Sequence, residues 1–194
     1  MAAFPNPPQA RTEWLRLAHA QALLLSASLD TADYIPSATA DDPSATPAEL
    51  KEKGNALFRA GEYRDAVGMY KAALTRAISE APLDTTLALL CNSAHCSLSL
   101  DDHLTAARYA SSALAIEPRP DTSKAHYRHA LALLNLGHAA EAQASCERGR
   151  ALFPGEAALV ALGPRIASVL TSATARASQQ VRGRSHVGVG FVGA

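Results

Sequence analysis

Apolar residues recur along this chain at steps of three and four, the period of helices that bury one face, and the runs are separated by glycine, proline and short polar clusters. The first run, Thr12 to Leu29, carries Trp14, Ala18, Ala22, Leu25 and Leu29 on one stripe, with Thr12 as its N-cap, and predicts a helix over about 12–29. It lies in an N-terminal extension of residues 1–46, whose proline-rich first 11 residues read as a flexible end. From Asp30 to Thr46 the apolar period vanishes, which predicts an exposed linker.

Between residues 47 and 156 the pattern repeats. Gly54, Ala94 and Ala130 align, as do Ala66, Ala106 and Ala142, and then Ala73, Ala113 and Gly149. The offsets are 40 (54 to 94) and 36 (94 to 130), a period of about 34 with short insertions at the turns. Each unit reads as a helical hairpin in which small residues let two helices approach closely. Gly61 and Gly137 stop the first helix, and Pro118 and Pro154 follow the second. The first unit opens on Thr46-Pro47-Ala48-Glu49, an N-cap, a proline at the first helical position and a carboxylate at the third; Asp121 offers a cap for the third unit.

The stretch from Lys51-Glu52-Lys53-Gly54-Asn55-Ala56-Leu57-Phe58 through Gly61-Glu62-Tyr63-Arg64-Asp65-Ala66 resembles the tetratricopeptide repeat. Ala110 and Cys146 stand in the second and third units where Tyr70 stands in the first, and His126 replaces a usual large apolar residue. The resemblance implies an all-α fold of three tandem hairpins, about 47–80, 87–120 and 123–156, in a right-handed superhelical array. A helix over 157–180 would cap the last hairpin through Ile166, Val169, Leu170 and Ala173, with Gly163-Pro164 marking a break before that stripe. Residues 181–194, with four glycines, read as a disordered tail.

Composition narrows the function classes. The 194 residues carry 18 basic and 18 acidic side chains, enough chain for one domain with a real core and no charge excess pointing to nucleic acid or an anionic membrane. Near the start the longest apolar cluster, Ala22 to Leu25, falls far short of a membrane span or signal, so a soluble cytoplasmic protein is expected. Three cysteines lack the spacing of a four-ligand metal site and read as small buried thiols. His126 and His129 sit at packing positions and read as interhelix residues rather than metal ligands. No phosphate loop, metalloprotease pair or nucleophile motif occurs, and neither catalytic residue nor cofactor is expected.

With Gly54, Ala94 and Ala130 set as position eight, Lys124 takes position two, Lys51 five, Asn92 and Arg128 six, and Asn55 nine. At about 100° per residue these positions span an arc of about 100°, opposite the packing positions four, seven, eight and eleven. Stacking would bring all five side chains into one basic groove. Surface Lys and Arg are ordinarily just solvated charge, whereas Asn inside a helix is mildly unfavourable and invites a functional reason. Carboxylates fit the set best, and a chain ending in Asp offers two on one residue. Phe58, Arg59, His95 and Leu98 lie in or beside the groove; each either contacts ligand residues upstream of the terminal Asp or is simply exposed or packed.

The five residues resemble the dicarboxylate clamp of tetratricopeptide co-chaperones. That resemblance implies a non-enzymatic adaptor that binds the C-terminal Glu-Glu-Val-Asp tail of seventy- or ninety-kilodalton heat-shock chaperones through Lys51, Asn55, Asn92, Lys124 and Arg128. A second protein partner would use the N-terminal helix. The alternative is a repeat scaffold whose groove takes an unrelated acidic or helical segment.

Overall fold

The computed structural model describes residues 44–80, 83–115 and 122–185, and among these the regular structure is helical. The expected helix over 12–29, its linker, Asp121, Pro118 and the chain beyond residue 185 lie outside the described residues. Seven helices follow one another: α1 (Pro47–Ala60), α2 (Tyr63–Glu80), α3 (Leu83–Ser99), α4 (His103–Ala115), α5 (Ser123–Asn135), α6 (Ala139–Leu152) and α7 (Ala157–Ser185).

Local chemistry accounts for the hairpins. Thr46 and Glu49 form a reciprocal capping box, Glu49 N donating to Thr46 Oγ1 at 3.3 Å and Thr46 N to Glu49 Oε2 at 2.8 Å, with Pro47 next in line. Each of the three hairpin turns then closes with the same long backbone bond: Glu62 N to Leu57 O, Asp102 N to Ser97 O, and His138 N to Leu133 O, at 2.9–3.0 Å. This closure needs a left-handed residue, and Gly61 and Gly137 supply it at φ 81° and 85°. Asp101 takes the same conformation at φ 58° in the middle turn, a position for which aspartate is tolerated and the sequence carries no glycine.

Each helix packs on the next, and beyond these sequential neighbours contacts run from α1 to α3, α3 to α5 and α5 to α7. The odd-numbered helices therefore form one row of the stack, with α2, α4 and α6 forming the other. All nine aligned small residues are buried: Gly54, Ala94 and Ala130 in the odd row, and Ala66, Ala106, Ala142, Ala73, Ala113 and Gly149 in the even row. Tyr70, Leu50, Met69, Leu87 and Leu90 fill the core of the first two hairpins, and the third closes on the cap through Leu133, Cys146, Leu159, Leu162 and Ile166. Cys91, Cys96 and Cys146 are buried, unbridged thiols.

Four expectations change. Of the expected capping stripe, Ile166 is buried and Leu170 half-buried, but Val169 and Ala173 face solvent. Helix α3 begins at Leu83, four residues before the expected start of the second unit. At α5 the N-cap is Thr122, whose side chain makes no capping bond. The break expected at Gly163-Pro164 does not occur, because α7 runs unbroken through Pro164. Gly163 has no Cβ to oppose the proline ring, Pro164 faces solvent, and Leu159, Leu162 and Ile166 are buried on both sides of it. By length and composition alone, the 23 residues Ala157–Gln179, whose most apolar 18-residue window has a mean hydropathy of 1.3, suffice to cross a membrane, unlike the N-terminal cluster weighed from sequence. Its first three turns are also the packed cap of the array.

Candidate functional site

The odd row carries the predicted polar face. Lys51 and Asn55 lie one turn apart on α1, Asn92 on α3, and Lys124 and Arg128 one turn apart on α5. Gly54 lets the α2 tyrosine approach the α1 backbone closely: a Cβ there would stand 2.6 Å from Tyr70 Cε1. From that position the Tyr70 hydroxyl reaches through to the polar face and donates to Asn55 Oδ1 at 2.7 Å.

Asn55 Oδ1 also accepts from Asn92 Nδ2 at 3.2 Å, a bond between the first and second repeats. On its other side, Asn55 Nδ2 donates to Glu52 Oε1 at 3.2 Å, and the same carboxylate oxygen lies 3.7 Å from Lys51 Nζ. Three of the five predicted residues are thus tied into one network. Tyr70 is 1% exposed, and burial pushes its phenol up to about 12, so it remains a proton donor across the physiological range.

A cleft of about 230 Å³ opens beside this network, lined by Asn55, Phe58, Arg59, Tyr70, Asn92 and His95. Phe58 and His95 form one wall with ring centroids 4.6 Å apart, and Tyr63 backs Phe58 at 5.2 Å. The His95 imidazole is held below its usual range, first by burial and then by the Arg128 charge, which keeps it neutral at pH 7. Arg128 lies half-buried against α3, its guanidinium beside the Cys91 thiol; burial is the main cause of a lowered pKa, and Nη1 is a buried donor with no hydrogen-bond partner. Lys124 is exposed on the preceding turn.

Of the four neighbours named from sequence, Phe58, Arg59 and His95 line the cleft. Leu98 instead packs with Ala106, Ala107, Ala132 and Leu136 where the second and third hairpins meet. His126 and His129 face α6: His126 is buried beside Phe153, and His129 Nδ1 sits 3.0 Å from Ser145 Oγ. Among the described residues no group of three or more His, Cys, Asp or Glu side chains converges. The roles of Tyr70 and Glu52 were missed from sequence; the signal was present in the pairing of an asparagine at position nine with a tyrosine on the following helix, which occurs in the first unit alone.

The first TPR domain of Spaghetti (RPAP3), solved bound to the HSP90 peptide SRMEEVD, superimposes on this chain with a TM-score of 0.57, 25% identity, and coverage of 65% of this chain and 94% of that one. The fold is that of tetratricopeptide repeat arrays. The Sgt2 TPR domain of Aspergillus fumigatus matches this repeat protein at a TM-score of 0.58 and 25% identity, over 72% of this chain and 87% of that domain. In sequence it is 35% identical over 113 residues to the Hsp70-Hsp90 organizing protein of Triticum aestivum, spanning 58% of this chain but 18% of that protein's length. No family model matches the sequence.

Proposed function

We propose that this repeat array is a non-enzymatic co-chaperone or adaptor module whose groove binds the C-terminal Glu-Glu-Val-Asp tail of a cytosolic heat-shock chaperone. The observation that carries this reading is the Asn92 to Asn55 bond at 3.2 Å, which brings the amides of two repeats together between Lys51 on one side and the Arg128 helix on the other. Lys51, Lys124 and Arg128 supply the positive charge, and the two amides supply oriented N–H donors. The α-carboxylate and side-chain carboxylate of a terminal Asp match that donor set, each charge-assisted bond contributing about 1.5–3 kcal/mol. Further support comes from the similarity to a TPR domain solved with an HSP90 peptide of the same ending. The same reading places the protein in the cytosol, where such a tail is available.

Titration of the full chain with a fluorescein-labelled Met-Glu-Glu-Val-Asp peptide tests it. Saturable binding is expected, weakened about tenfold or more by Lys51→Ala, by Arg128→Ala, and by amidation of the peptide terminus. Absence of saturable binding at millimolar concentration, or equal affinity of parent and both variants, would sink the proposal.

A further inference from the structure

We infer that Tyr70 is a positioning residue of the groove: its buried hydroxyl fixes which way the Asn55 side-chain amide points, so that the N–H side, and not the carbonyl, faces a ligand carboxylate. This rests on the peptide-binding reading above.

An asparagine amide is nearly symmetric in shape and opposite in chemistry at its two ends, so a flip turns a donor into an acceptor. In a carboxylate site the flipped state is repulsive. Asn55 has its oxygen engaged from two directions, by the Tyr70 hydroxyl at 2.7 Å and by Asn92 Nδ2 at 3.2 Å. Its nitrogen meets a carboxylate oxygen of Glu52 at 3.2 Å. Turning the amide over would set its NH2 group against the Asn92 donor and its oxygen against the Glu52 carboxylate. The tyrosine is the rigid member of this set, because its ring is 1% exposed and lies against Gly54, whereas Glu52 is exposed. A phenol pushed up to about 12 also stays protonated and keeps donating.

Comparison of the three units supports the assignment. Position nine is Asn55, His95 and Leu131, and the residue sixteen places after position eight is Tyr70, Ala110 and Cys146. The hydroxyl is present in the unit that has an amide at position nine and missing from the two that do not.

The test uses Tyr70→Phe in the full chain, which keeps the ring against Gly54 and removes the hydroxyl alone. With far-ultraviolet circular dichroism unchanged, affinity for the labelled Met-Glu-Glu-Val-Asp peptide is expected to fall about three- to tenfold, the span of one lost hydrogen bond. In an Asn55→Ala background the same substitution should cost clearly less than in the parent, since only the hydroxyl's contact with Asn92 is left. Parent-like affinity of Tyr70→Phe, or an equal fold-loss in both backgrounds, overturns the inference. The unliganded chain gives an independent reading: the Asn55 side-chain NH2 resonances should shift in Tyr70→Phe, and their constancy would equally overturn it. If the parent does not bind the peptide, the functional proposal fails, while those resonances still decide whether Tyr70 orients Asn55.

Discussion

Adding one methyl group at Gly54 puts the contact between the first two helices under direct test. In Gly54→Ala the new Cβ would lie 2.6 Å from Tyr70 Cε1, 2.8 Å from Cδ1 and 3.0 Å from Cζ, against about 3.5–4.0 Å for relaxed carbon contacts. The ring would have to retreat by close to an ångström. It has nowhere to go, being 1% exposed and tied through its hydroxyl to Asn55 at 2.7 Å. Overpacking of this kind costs about 1–3 kcal/mol, and exchange of glycine for alanine inside a helix returns about 1 kcal/mol. Net destabilisation of up to about 2 kcal/mol is expected, a fall of up to roughly 8 °C in thermal midpoint. The third unit has solved the same contact with the pair Ala130 and Cys146. Tyr70→Cys alone should therefore cost about 3–5 kcal/mol through the cavity it opens, but combined with Gly54→Ala it should cost at least about 1 kcal/mol less than the two single effects added. Urea unfolding followed by circular dichroism measures all three variants. A Gly54→Ala protein more stable than the parent, or strict additivity in the double variant, would refute the packing argument.

Two further outcomes are expected. Glu52 holds Asn55 and lies 3.7 Å from Lys51, so it occupies donors that an incoming carboxylate needs; Glu52→Gln should tighten binding of the labelled acidic peptide about two- to threefold, more at low salt, and unchanged or weaker binding would rule out competition. Burial lowers the imidazole pKa of both His126 and His129, as does the neighbouring Arg148, so the unfolded chain takes up their protons first. Their stabilising contribution is complete above about pH 6.5 and is lost as pH falls through the lower folded values. Thermal midpoints should be level from pH 7.5 to about 6.5 and decline toward pH 5, with a smaller decline in His129→Gln; a midpoint that stays level to pH 5 contradicts this.

Most of the fold was legible because its signals are local. The capping box at Thr46 and Glu49 and the turns at Gly61 and Gly137 depend on residues a few places apart, and the structure contains them. Pro164 was misread for the complementary reason: a proline signal is local, but whether a helix ends there depends on what is buried on either side, and Leu159 and Ile166 hold α7 together across it. Leu98 shows the same limit. Its angular position put it at the groove edge, while the packing of α4 and α5 draws it into a cluster with Ala106 and Ala132.

Sequence by itself determined which side chains share a face, since the angle between two positions on one helix follows from their separation alone. Lys51 with Asn55, and Lys124 with Arg128, needed nothing more. Only the tertiary structure decided which residues of different helices touch, because interhelix distance depends on side-chain volumes at the packing face and on the turn closures between hairpins. The missing side chain of Gly54 lets Tyr70 lie close, Tyr70 thereby reaches Asn55, and Asn55 meets Asn92 across the repeat boundary.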